Sequence, residues 1–306
     1  MERDDSYFTG KRCVVTGSAG FIGKRLIPHL LASGAKVISW PRQEVDLLDA
    51  SSVIQRIQID RPELVFHLAS TGTRPEEANS ELAIYGNIRM AENLSAGILS
   101  MKSECRLVVA GSVSEYGGGE KSIVSENRVC HPVTKYGMGK LAASLYFRSE
   151  ALSSGLDLII LRLFGVYGPG ESQRRLIPAV LEAISSKKPL DLSDGMQIRD
   201  FIHVDDVCEG FLRAAQSSCE KEKILNLGTG QGLAVKAVCE WIVKEKGAAQ
   251  SLLKFGARPR SPFDADNECI VADVTALRSA LNWVPKQRLI REPSVLNWNT
   301  LNKTLL

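Results

Sequence analysis

Three glycines placed between a strand and a helix constrain the fold of this chain more than any other feature. Residues 11–16, which contain C-V-V-T, predict a strand, and residues 21–33 predict a helix. Between them Gly17, Gly20 and Gly23 follow the spacing G-x-x-G-x-x-G. Such glycines allow a tight turn, close approach of the backbone to a pyrophosphate, and tight packing of helix on sheet. This order of elements predicts dinucleotide binding.

The first half of the chain alternates between short apolar runs and longer helical segments. Strands are predicted at residues 11–16, 36–40, 64–68, 106–110 and 158–161, with helices near 21–33, 50–59, 79–100 and 136–152. Apolar strands that barely alternate in polarity indicate a parallel sheet covered on both faces. We therefore expect an α/β fold with a doubly wound parallel (Rossmann) sheet, to which residues 201–204 and 224–228 return.

The pattern becomes irregular after residue 166 and richer in proline, arginine and aspartate. We therefore expect a dinucleotide-binding domain of residues 1–166 together with about 198–231. The smaller, C-terminal substrate-binding lobe would take about 167–197 and 232–306. A length of 306 residues suits one core that carries such a lobe.

Charge and cysteine content argue against several classes of function. A net charge of +3 gives no reason to expect nucleic acid or an anionic membrane as partner. The first residues are charged, unlike a signal peptide, and no apolar run is long enough to span a membrane. The seven cysteines lack C-x-x-C spacing, which argues against a zinc site and a disulfide framework. We expect a cytoplasmic protein without a metal.

The end of the second predicted strand bears on which dinucleotide binds. A carboxylate at this position usually accepts hydrogen bonds from the ribose hydroxyls of NAD. Here the strand ends S-W-P-R, with Arg42 and no acid. A guanidinium suits the 2′-phosphate of NADP. We therefore expect NADP(H), with NAD(H) as the alternative if Arg42 is only a solvated loop residue.

Tyr136 and Lys140 lie one helical turn apart, on the same face, in the pattern Y-x-x-x-K. A lysine cation beside a phenol lowers its pKa, so Tyr136 would exchange a proton with a substrate hydroxyl near neutral pH. Lys140 would also hold the nicotinamide ribose. Ser112 and Ser114 follow the fourth predicted strand, at the edge where doubly wound sheets bind ligands. Either hydroxyl would donate to the same substrate oxygen.

Together with further motifs, these residues resemble the extended short-chain dehydrogenase/reductase family, in its NAD-dependent sugar epimerase/dehydratase group. The motifs are T-G-x-x-G-F-I-G at 16–23, D-L-L-D at 46–49, H-L-A-S at 67–70, G-S-V-S-E-Y-G at 111–117, Y-x-x-x-K at 136–140, L-R-L-F-G-V-Y-G-P-G at 161–170, R-D-F-I-H-V-D-D-V at 199–207 and N-L-G-T-G at 226–230. The resemblance runs through most of the chain. It implies a nicotinamide-dependent enzyme that acts on a nucleotide sugar, usually as a homodimer.

The resemblance also implies roles for individual residues. Tyr136 would be the acid/base, Lys140 its partner, and Ser112 the third catalytic hydroxyl. The residues along the cofactor would be Gly17, Ala19, Gly20, Phe21, Ile22, Arg42, Asp46, Leu47, Leu68, Ala69, Tyr136 and Lys140. The residues on the substrate would be Ser112, Ser114, Asn87, Arg199, Arg258 and Arg260. Asn87 suits a buried hydrogen-bonding role equally well.

Departures from the family pattern narrow the reaction. Sugar 4,6-dehydratases of the family carry an Asp-Glu pair after the catalytic hydroxyl, where this chain has Val113 and Ser114. Glu115, one residue further on, is expected to point elsewhere. Members that epimerise a 4-keto sugar before reducing it carry a cysteine in this stretch, where Ser114 stands here. We therefore expect a reductase of a nucleotide-linked 4-keto-6-deoxy sugar. The alternatives are a nucleotide-sugar 4-epimerase with tightly held NAD and, more remotely, a non-catalytic NADP(H)-binding regulatory or scaffold protein.

Overall fold

The computed structural model of the chain describes residues 4–73, 77, 79–101, 103–118, 122–218 and 222–290. Its strands are β1 (Arg12–Thr16), β2 (Lys36–Trp40), β3 (Leu64–His67), β4 (Arg106–Ser112), β5 (Ser122–Val124), β6 (Asp157–Leu163), β7 (Gly165–Tyr167), β8 (Leu190–Asp191), β9 (Ile198–His203), β10 (Lys223–Leu227), β11 (Gly232–Ala234), β12 (Leu253–Lys254) and β13 (Cys269–Ala272). Its α-helices are α1 (Phe21–Ala32), α2 (Ala50–Asp60), α3 (Glu81–Leu99), α4 (Lys135–Ser154), α5 (Leu176–Ser186), α6 (Val204–Gln216), α7 (Val235–Glu245), α8 (Pro262–Asp266) and α9 (Thr275–Leu281).

Six parallel strands form the main sheet, in the order β10-β6-β4-β3-β1-β2. All of β3 is buried, and so are β4 and β6 beyond their first residues. A strand whose two faces are both covered has no exposed side that calls for polar residues, which explains the continuous apolar runs in the sequence. The predicted doubly wound parallel sheet is confirmed.

Helices cover both faces of this sheet. On one face α1 and α6 contribute buried side chains such as Leu26 and Phe211. On the other face α2, α3 and α4 contribute Val53, Leu94 and Phe147. Each such side chain stabilises the fold by roughly 1.5–3 kcal/mol relative to an exposed one. The chain order reverses between β1 and β3, and the carboxyl ends of those strands therefore frame the crevice where such sheets bind ligands.

A second sheet has the strand order β11-β9-β13-β5, and β7 also pairs with β9. We expected residues 201–204 in the main sheet, and that prediction was wrong because β9 pairs with β7, β11 and β13 instead. Residues 224–228 do return to it, as β10 beside β6. An apolar run shows that a strand is buried, whereas its neighbours depend on contacts that are distant in sequence.

Outside these two sheets, side chains pack around α5 and α7, where Val180, Val238 and Ile242 belong to one apolar cluster. The short pair β8 and β12 lies beside it. β5 belongs to the first 166 residues but joins the second sheet, and the division into two domains stays a prediction. Within the described ranges, no helix combines the length and apolar character needed to cross a bilayer.

Candidate active site

The glycine loop leaves the first helix open at its N-terminus. Gly17 has a φ of 65°, and a Cβ there would lie 2.7 Å from the backbone nitrogen of Ala69. A Cβ on Gly23 would lie 2.5 Å from the carbonyl oxygen of Gly17. Gly20 is the N-cap of α1 and provides no side-chain cap. The loop therefore packs against the end of β3 and leaves N–H groups of the helix available to a phosphate.

Buried hydrogen bonds tie the ends of β1 and β3 together. The hydroxyl of Thr16 lies 2.9 Å from Nδ1 of His67 and accepts a 3.2 Å hydrogen bond from the backbone N–H of Ala69. Burial lowers the pKa of His67 to about 3, so the ring stays neutral. His67 therefore holds the frame of the crevice and has no charge to exchange with a substrate.

The residues expected beside the adenosine lie between β2 and α2. Arg42 and Asp46 are exposed, and Asp46 accepts a 3.0 Å hydrogen bond from the backbone N–H of Leu48. Leu47 is buried, and its carbonyl accepts from the side-chain amide of Asn93 at 2.9 Å. A guanidinium is thus free to meet solvent at the end of β2. The cofactor roles of these residues stay predictions, and so do those of Ala19, Phe21, Ile22, Leu68 and Ala69.

Glycines in α4 bring Tyr136 to the end of β4. Thr134 caps the helix by accepting a 3.0 Å hydrogen bond from the N–H of Gly137. A Cβ on Gly137 would lie 2.4 Å from the carbonyl oxygen of Ser114, and one on Gly139 would lie 2.0 Å from that of Ala83. Because only glycine permits these approaches, the helix lies directly against α3 and the turn after Ser112.

The phenol of Tyr136 is half-buried between two hydroxyls. Burial raises its pKa, and hydrogen bonds from Ser112 and Ser70 offset part of that shift. Arg175 also lowers the pKa, whereas the charge of Glu115 raises it further. The sequence predicts a lowered pKa, so the direction is the reverse of the expected one. Burial is the reason, since loss of water disfavours phenolate.

Lys140 lies beneath the same site and is 4% exposed. Its ammonium donates a 2.5 Å hydrogen bond to the carbonyl oxygen of Ala110 in β4. Burial lowers its pKa, and the negative charge of Glu115 raises it. The structure therefore brings Ser112, Tyr136 and Lys140 together, with Glu115 as the neighbouring anion.

The remaining predicted substrate residues near β4 are held by the backbone. Asn87 is 2% exposed, and its amide donates to the carbonyl oxygens of Ala83 at 2.7 Å and Thr71 at 3.1 Å. Its Oδ1 accepts a 2.8 Å hydrogen bond from Ser70. Ser114 donates its N–H to the Ser112 hydroxyl at 3.1 Å. Asn87 thus supports the loop that carries Ser70, and its role as a substrate contact stays a prediction.

Two of the predicted substrate arginines are paired with aspartates outside the main sheet. Arg199 donates to Asp264 at 2.6 Å and to the carbonyl oxygen of Asn267 at 2.7 Å. Arg260 donates two hydrogen bonds to Asp194, at 2.8 and 2.7 Å. Arg258 is exposed. All three lie outside the main sheet, and their contacts with a substrate stay predictions.

Sequence reasoning missed Ser70 and Arg162 as neighbours of the site, and it did not place Arg175 beside Tyr136. Ser70 and Arg175 approach Tyr136 from loops. Loops lack the periodicity from which the direction of a side chain can be predicted. Arg162 lies in the apolar strand β6, and an arginine in a buried strand was the available signal. Glu115 is buried and pairs with Arg162, and its orientation relative to a substrate stays a prediction.

The sequence matches the model of the NAD dependent epimerase/dehydratase family over residues 13–228. It is 28% identical to the dTDP-6-deoxy-L-talose 4-dehydrogenase (NAD(P)(+)) of Kitasatospora kifunensis, over 91% of this chain and 92% of that protein. It is 26% identical to the UDP-glucose 4-epimerase of Azospirillum brasilense, over 92% and 89%. Among solved structures, MoeE5 in complex with UDP-glucose and NAD has a TM-score of 0.77 at 28% identity, over 90% and 94%. The similarity therefore extends through about nine-tenths of the chain.

Proposed function

This chain belongs to the NAD-dependent epimerase/dehydratase family of extended short-chain dehydrogenases/reductases, and from that membership we propose that it reduces the 4-keto group of a nucleotide-linked 6-deoxy sugar. The observation that carries the proposal is the meeting of Ser112 and Tyr136 at the end of β4. A hydroxyl pair of this kind binds and protonates one oxygen. A relative of similar length is named a 6-deoxy-talose 4-dehydrogenase, and that reaction run in reverse is a 4-keto reduction.

The side chains divide the work of such a reduction. Ser112 donates a hydrogen bond that orients the keto oxygen, and Tyr136 gives that oxygen its proton. Lys140 holds the nicotinamide ribose and stabilises the phenolate that remains. The backbone N–H groups of α1 and the loop of Gly17 and Gly20 hold the pyrophosphate. When bound, the reduced nicotinamide supplies the hydride that reaches the keto carbon.

The residues after Ser112 support reduction over elimination of water. Loss of water from a sugar needs an acid and a base beside the reacting carbons. Val113 carries neither an acid nor a base, and the backbone N–H of Ser114 donates a hydrogen bond to the Ser112 hydroxyl. Glu115 is fully buried and bonded to Arg162. We therefore expect no carboxylate of this turn to face the substrate side.

A 4-epimerase with tightly held NAD is the second candidate. It is supported by the 26% identity to a UDP-glucose 4-epimerase. The same Ser112, Tyr136 and Lys140 would then oxidise the sugar and reduce it again at one carbon. In that case the cofactor would stay bound between the two half-reactions and would not be consumed.

For the cofactor we favour NADP(H), with NAD(H) as the alternative. The support is Arg42, which is exposed just after β2, where its guanidinium would meet a 2′-phosphate. The name of the talose dehydrogenase includes both cofactors. We expect Arg42→Ala to weaken binding of NADPH about tenfold or more and to leave that of NADH nearly unchanged. Equal losses for both cofactors, in a fluorescence titration, would contradict this preference.

We also favour a homodimer, built on the paired helices α3 and α4. Leu82 on α3 and Met138, Leu145 and Leu152 on α4 are apolar and 45–68% exposed, while Leu141 is half-buried. A second copy that covers this face would remove a contiguous apolar surface from water. Leu145→Lys with Leu152→Lys should give a monomer in analytical ultracentrifugation, and an unchanged mass would count against the dimer. The cytoplasmic location stays a prediction.

One assay separates the candidates. The purified protein is mixed with NADPH or NADH and with 4-keto-6-deoxy sugars carried on GDP, dTDP, CDP or UDP, and the reduced-nicotinamide absorbance is followed. Loss of that absorbance with one sugar, abolished in Tyr136→Phe, is the expected result. Silence with all four, together with conversion of an ordinary nucleotide hexose into its 4-epimer, would replace the reductase by the epimerase. Silence with every sugar would overturn both.

A further inference from the structure

The amide of Asn87 is held in one orientation by backbone groups of α3 and of the loop after β3. Its nitrogen donates to the carbonyl oxygens of Ala83 at 2.7 Å and Thr71 at 3.1 Å. Its Oδ1 accepts the backbone N–H of Thr71 at 3.3 Å. A carbonyl accepts and an N–H donates, so turning the amide over would break all three contacts. The atom of Asn87 that faces Ser70 is therefore an oxygen, which has no proton to donate.

The hydroxyl of Ser70 places its single proton on this oxygen. Its Oγ lies 2.8 Å from Oδ1 of Asn87, whereas its other acceptor, the carbonyl oxygen of Thr71, lies 3.4 Å away. Two oxygens at 2.8 Å repel unless a proton lies between them, and only Ser70 has one to supply. Only an ionised Tyr136 would compete for that proton. Beside a neutral phenol, the oxygen of Ser70 therefore accepts hydrogen bonds and does not donate one.

Ser112, the second hydroxyl beside Tyr136, has the opposite role. Its Oγ accepts the backbone N–H of Ser114 at 3.1 Å, which occupies a lone pair and leaves the proton free. Its own backbone N–H donates to Oε1 of Glu115 at 2.8 Å, so the residue is held in place. The proton of Ser112 is thus available to the phenol or to a substrate oxygen. The two serines therefore differ, since Ser112 donates and Ser70 accepts.

Ser70 adjoins the crevice between the ends of β1 and β3, where sheets of this kind bind ligands. The residue before it, Ala69, donates its backbone N–H to the hydroxyl of Thr16 at 3.2 Å. A Cβ on Gly17 would lie 2.7 Å from that same nitrogen. The glycine loop thus packs directly against the residue that precedes Ser70.

The helix of Tyr136 reaches the same place from another side. A Cβ on Gly139 would lie 2.0 Å from the carbonyl oxygen of Ala83, and that oxygen also accepts the side-chain amide of Asn87. Asn87 is buried, whereas Ser70 is only half-buried. Ser70 therefore lies between the glycine loop and α4, with a buried amide behind it that fixes the direction of its proton.

An oxygen that only accepts selects its ligand by chemistry. It attracts a hydroxyl and repels a phosphate or keto oxygen, because those have no proton to donate. In the proposed reaction Ser112 and Tyr136 meet the keto oxygen instead. Hydroxyls come to this crevice from two sources, which are the ribose of the nicotinamide cofactor and the sugar of the substrate.

We propose that Ser70 is a further ligand-binding residue of the site, whose oxygen, oriented by Asn87, accepts a hydrogen bond from a hydroxyl of the cofactor ribose or of the sugar. The inference rests on the proposed function, which supplies both ligands. Together the two serines distinguish a ligand oxygen without a proton, which Ser112 binds, from one that carries a proton, which Ser70 binds.

Binding measurements test this without turnover. Ser70→Ala removes the accepting oxygen and leaves Oδ1 of Asn87 with the N–H of Thr71. Whichever of NADPH and NADH binds more tightly is first titrated into wild type and variant by calorimetry. Hexoses on GDP, dTDP, CDP and UDP, which have no keto group to reduce, are then titrated into the cofactor-loaded proteins. We expect Ser70→Ala to weaken binding of one of the two ligands about three- to tenfold, through loss of one hydrogen bond.

Thr71→Val is the matched control. The hydroxyl of Thr71 lies on the same loop and donates to the backbone carbonyl of Leu82 at 2.7 Å. Valine keeps the shape of threonine and removes the hydroxyl, so the loop loses one hydrogen bond but keeps the oxygen of Ser70. Both affinities should stay within about twofold of wild type, because no ligand contact is removed.

The two titrations identify the source of the hydroxyl. A loss for the dinucleotide assigns it to the cofactor, and a loss for a nucleotide hexose alone assigns it to the sugar. Three results would overturn the proposal: unchanged binding of both ligands in Ser70→Ala, equal losses in Ser70→Ala and Thr71→Val, or unchanged dinucleotide affinity in a protein that binds no nucleotide hexose.

Ligands that lack one hydroxyl test the direction of the hydrogen bond. Fluorine in place of a sugar hydroxyl, or hydrogen in place of a ribose hydroxyl, cannot donate. At one position wild type should lose about three- to tenfold in affinity, whereas Ser70→Ala should bind both forms equally, since its acceptor is already gone. Equal losses in both proteins at every position would overturn the proposal. Absence of turnover with every 4-keto sugar would overturn the proposed function, whereas these binding measurements would still decide the role of Ser70.

Discussion

Two buried carboxylates, one in each half of the molecule, are stabilised in opposite ways. Glu115, beside Ser112, has a cation for its partner, the guanidinium of Arg162. Asp200 in β9 accepts hydrogen bonds from Thr229 N–H at 2.8 Å, Thr229 hydroxyl at 2.6 Å, Gly230 N–H at 2.9 Å and Ala272 N–H at 3.2 Å. Burial raises the pKa of Asp200, and these hydrogen bonds offset part of that shift.

The two carboxylates differ in role: the charge of Glu115 affects titratable groups of the site, whereas the charge of Asp200 holds backbone segments together. Asp200 joins β9 to β13 and to the loop after β10, and every one of its donors belongs to the backbone or to Thr229. Glu115 accepts a single backbone N–H, that of Ser112, and its charge raises the pKa of Tyr136 and of Lys140. We therefore expect changes around Glu115 to alter turnover and changes around Asp200 to alter stability.

The largest expected effect concerns turnover on the Glu115 side. Tyr136→Phe should lower kcat about 10²–10⁴-fold, because the proton donor is lost, and should leave cofactor affinity nearly intact. Tyr146→Phe, on the same helix, is the matched control and should retain wild-type turnover. Steady-state kinetics with the substrate found above, and a fluorescence titration of the cofactor, measure both. Full activity in Tyr136→Phe would mean that Tyr136 is not the proton donor, and the expected link between the Glu115 side and turnover would be lost.

The next effect is on stability on the Asp200 side. Asp200→Ala removes one acceptor from several buried donors at once and should cost roughly 3 kcal/mol or more. Asp200→Asn keeps one oxygen and should cost less. Urea unfolding, followed by circular dichroism, measures the free energy of unfolding of each variant. A loss below about 1 kcal/mol in Asp200→Ala would mean that this carboxylate does not fasten the second sheet.

Two glycines sharpen the comparison, since each leaves space for one of the carboxylates. A Cβ on Gly228 would lie 2.7 Å from Oδ2 of Asp200, and one on Gly111 would lie 2.9 Å from Oε1 of Glu115. Gly111→Ala and Gly228→Ala should each cost about 2 kcal/mol through overpacking. Only Gly111→Ala should also lower kcat per folded molecule. Equal effects of both variants on kcat would contradict the expectation that only the surroundings of Glu115 affect turnover.

The smallest effect belongs to a third carboxylate, which lies at the surface. The hydrogen bond and charge of Arg25 lower the pKa of Asp205 below its ordinary value, at distances of 2.5 and 3.0 Å. Because the folded pKa is the lower one, the stabilisation is present above about pH 4 and is lost as the pH falls through the folded pKa. The pair is partly exposed, so Arg25→Gln should cost at most about 1 kcal/mol at pH 7.

Unfolding of Arg25→Gln and wild type at neutral and at acidic pH measures this term. The difference between them should shrink as the pH falls. A difference that grows toward acid would assign the stabilisation to a group other than Asp205. The Arg25–Asp205 pair thus gives the contribution of a surface ion pair to the free energy of unfolding, with which the buried carboxylates Glu115 and Asp200 can be compared.

Much of the main sheet was predictable from local patterns. Predicted strand 36–40 coincides with β2, and predicted helix 21–33 differs from α1 by one residue. The glycine loop and Y-x-x-x-K identified Gly17, Tyr136 and Lys140, since their spacing along the chain is also their spacing in the fold. Such features depend on backbone geometry over one or two turns, which a sequence specifies by itself.

Properties that depend on distant partners were decided only by the tertiary structure. β9 joined the second sheet because β13, far along the chain, pairs with it. Glu115 met Arg162 across 47 positions, a contact that no local spacing encodes. The pKa of Tyr136 rises, although the neighbouring lysine predicts a fall, because burial is a property of the whole fold. The sequence determined which groups the site contains, and packing determined how charged, how buried and how tightly held each of them is.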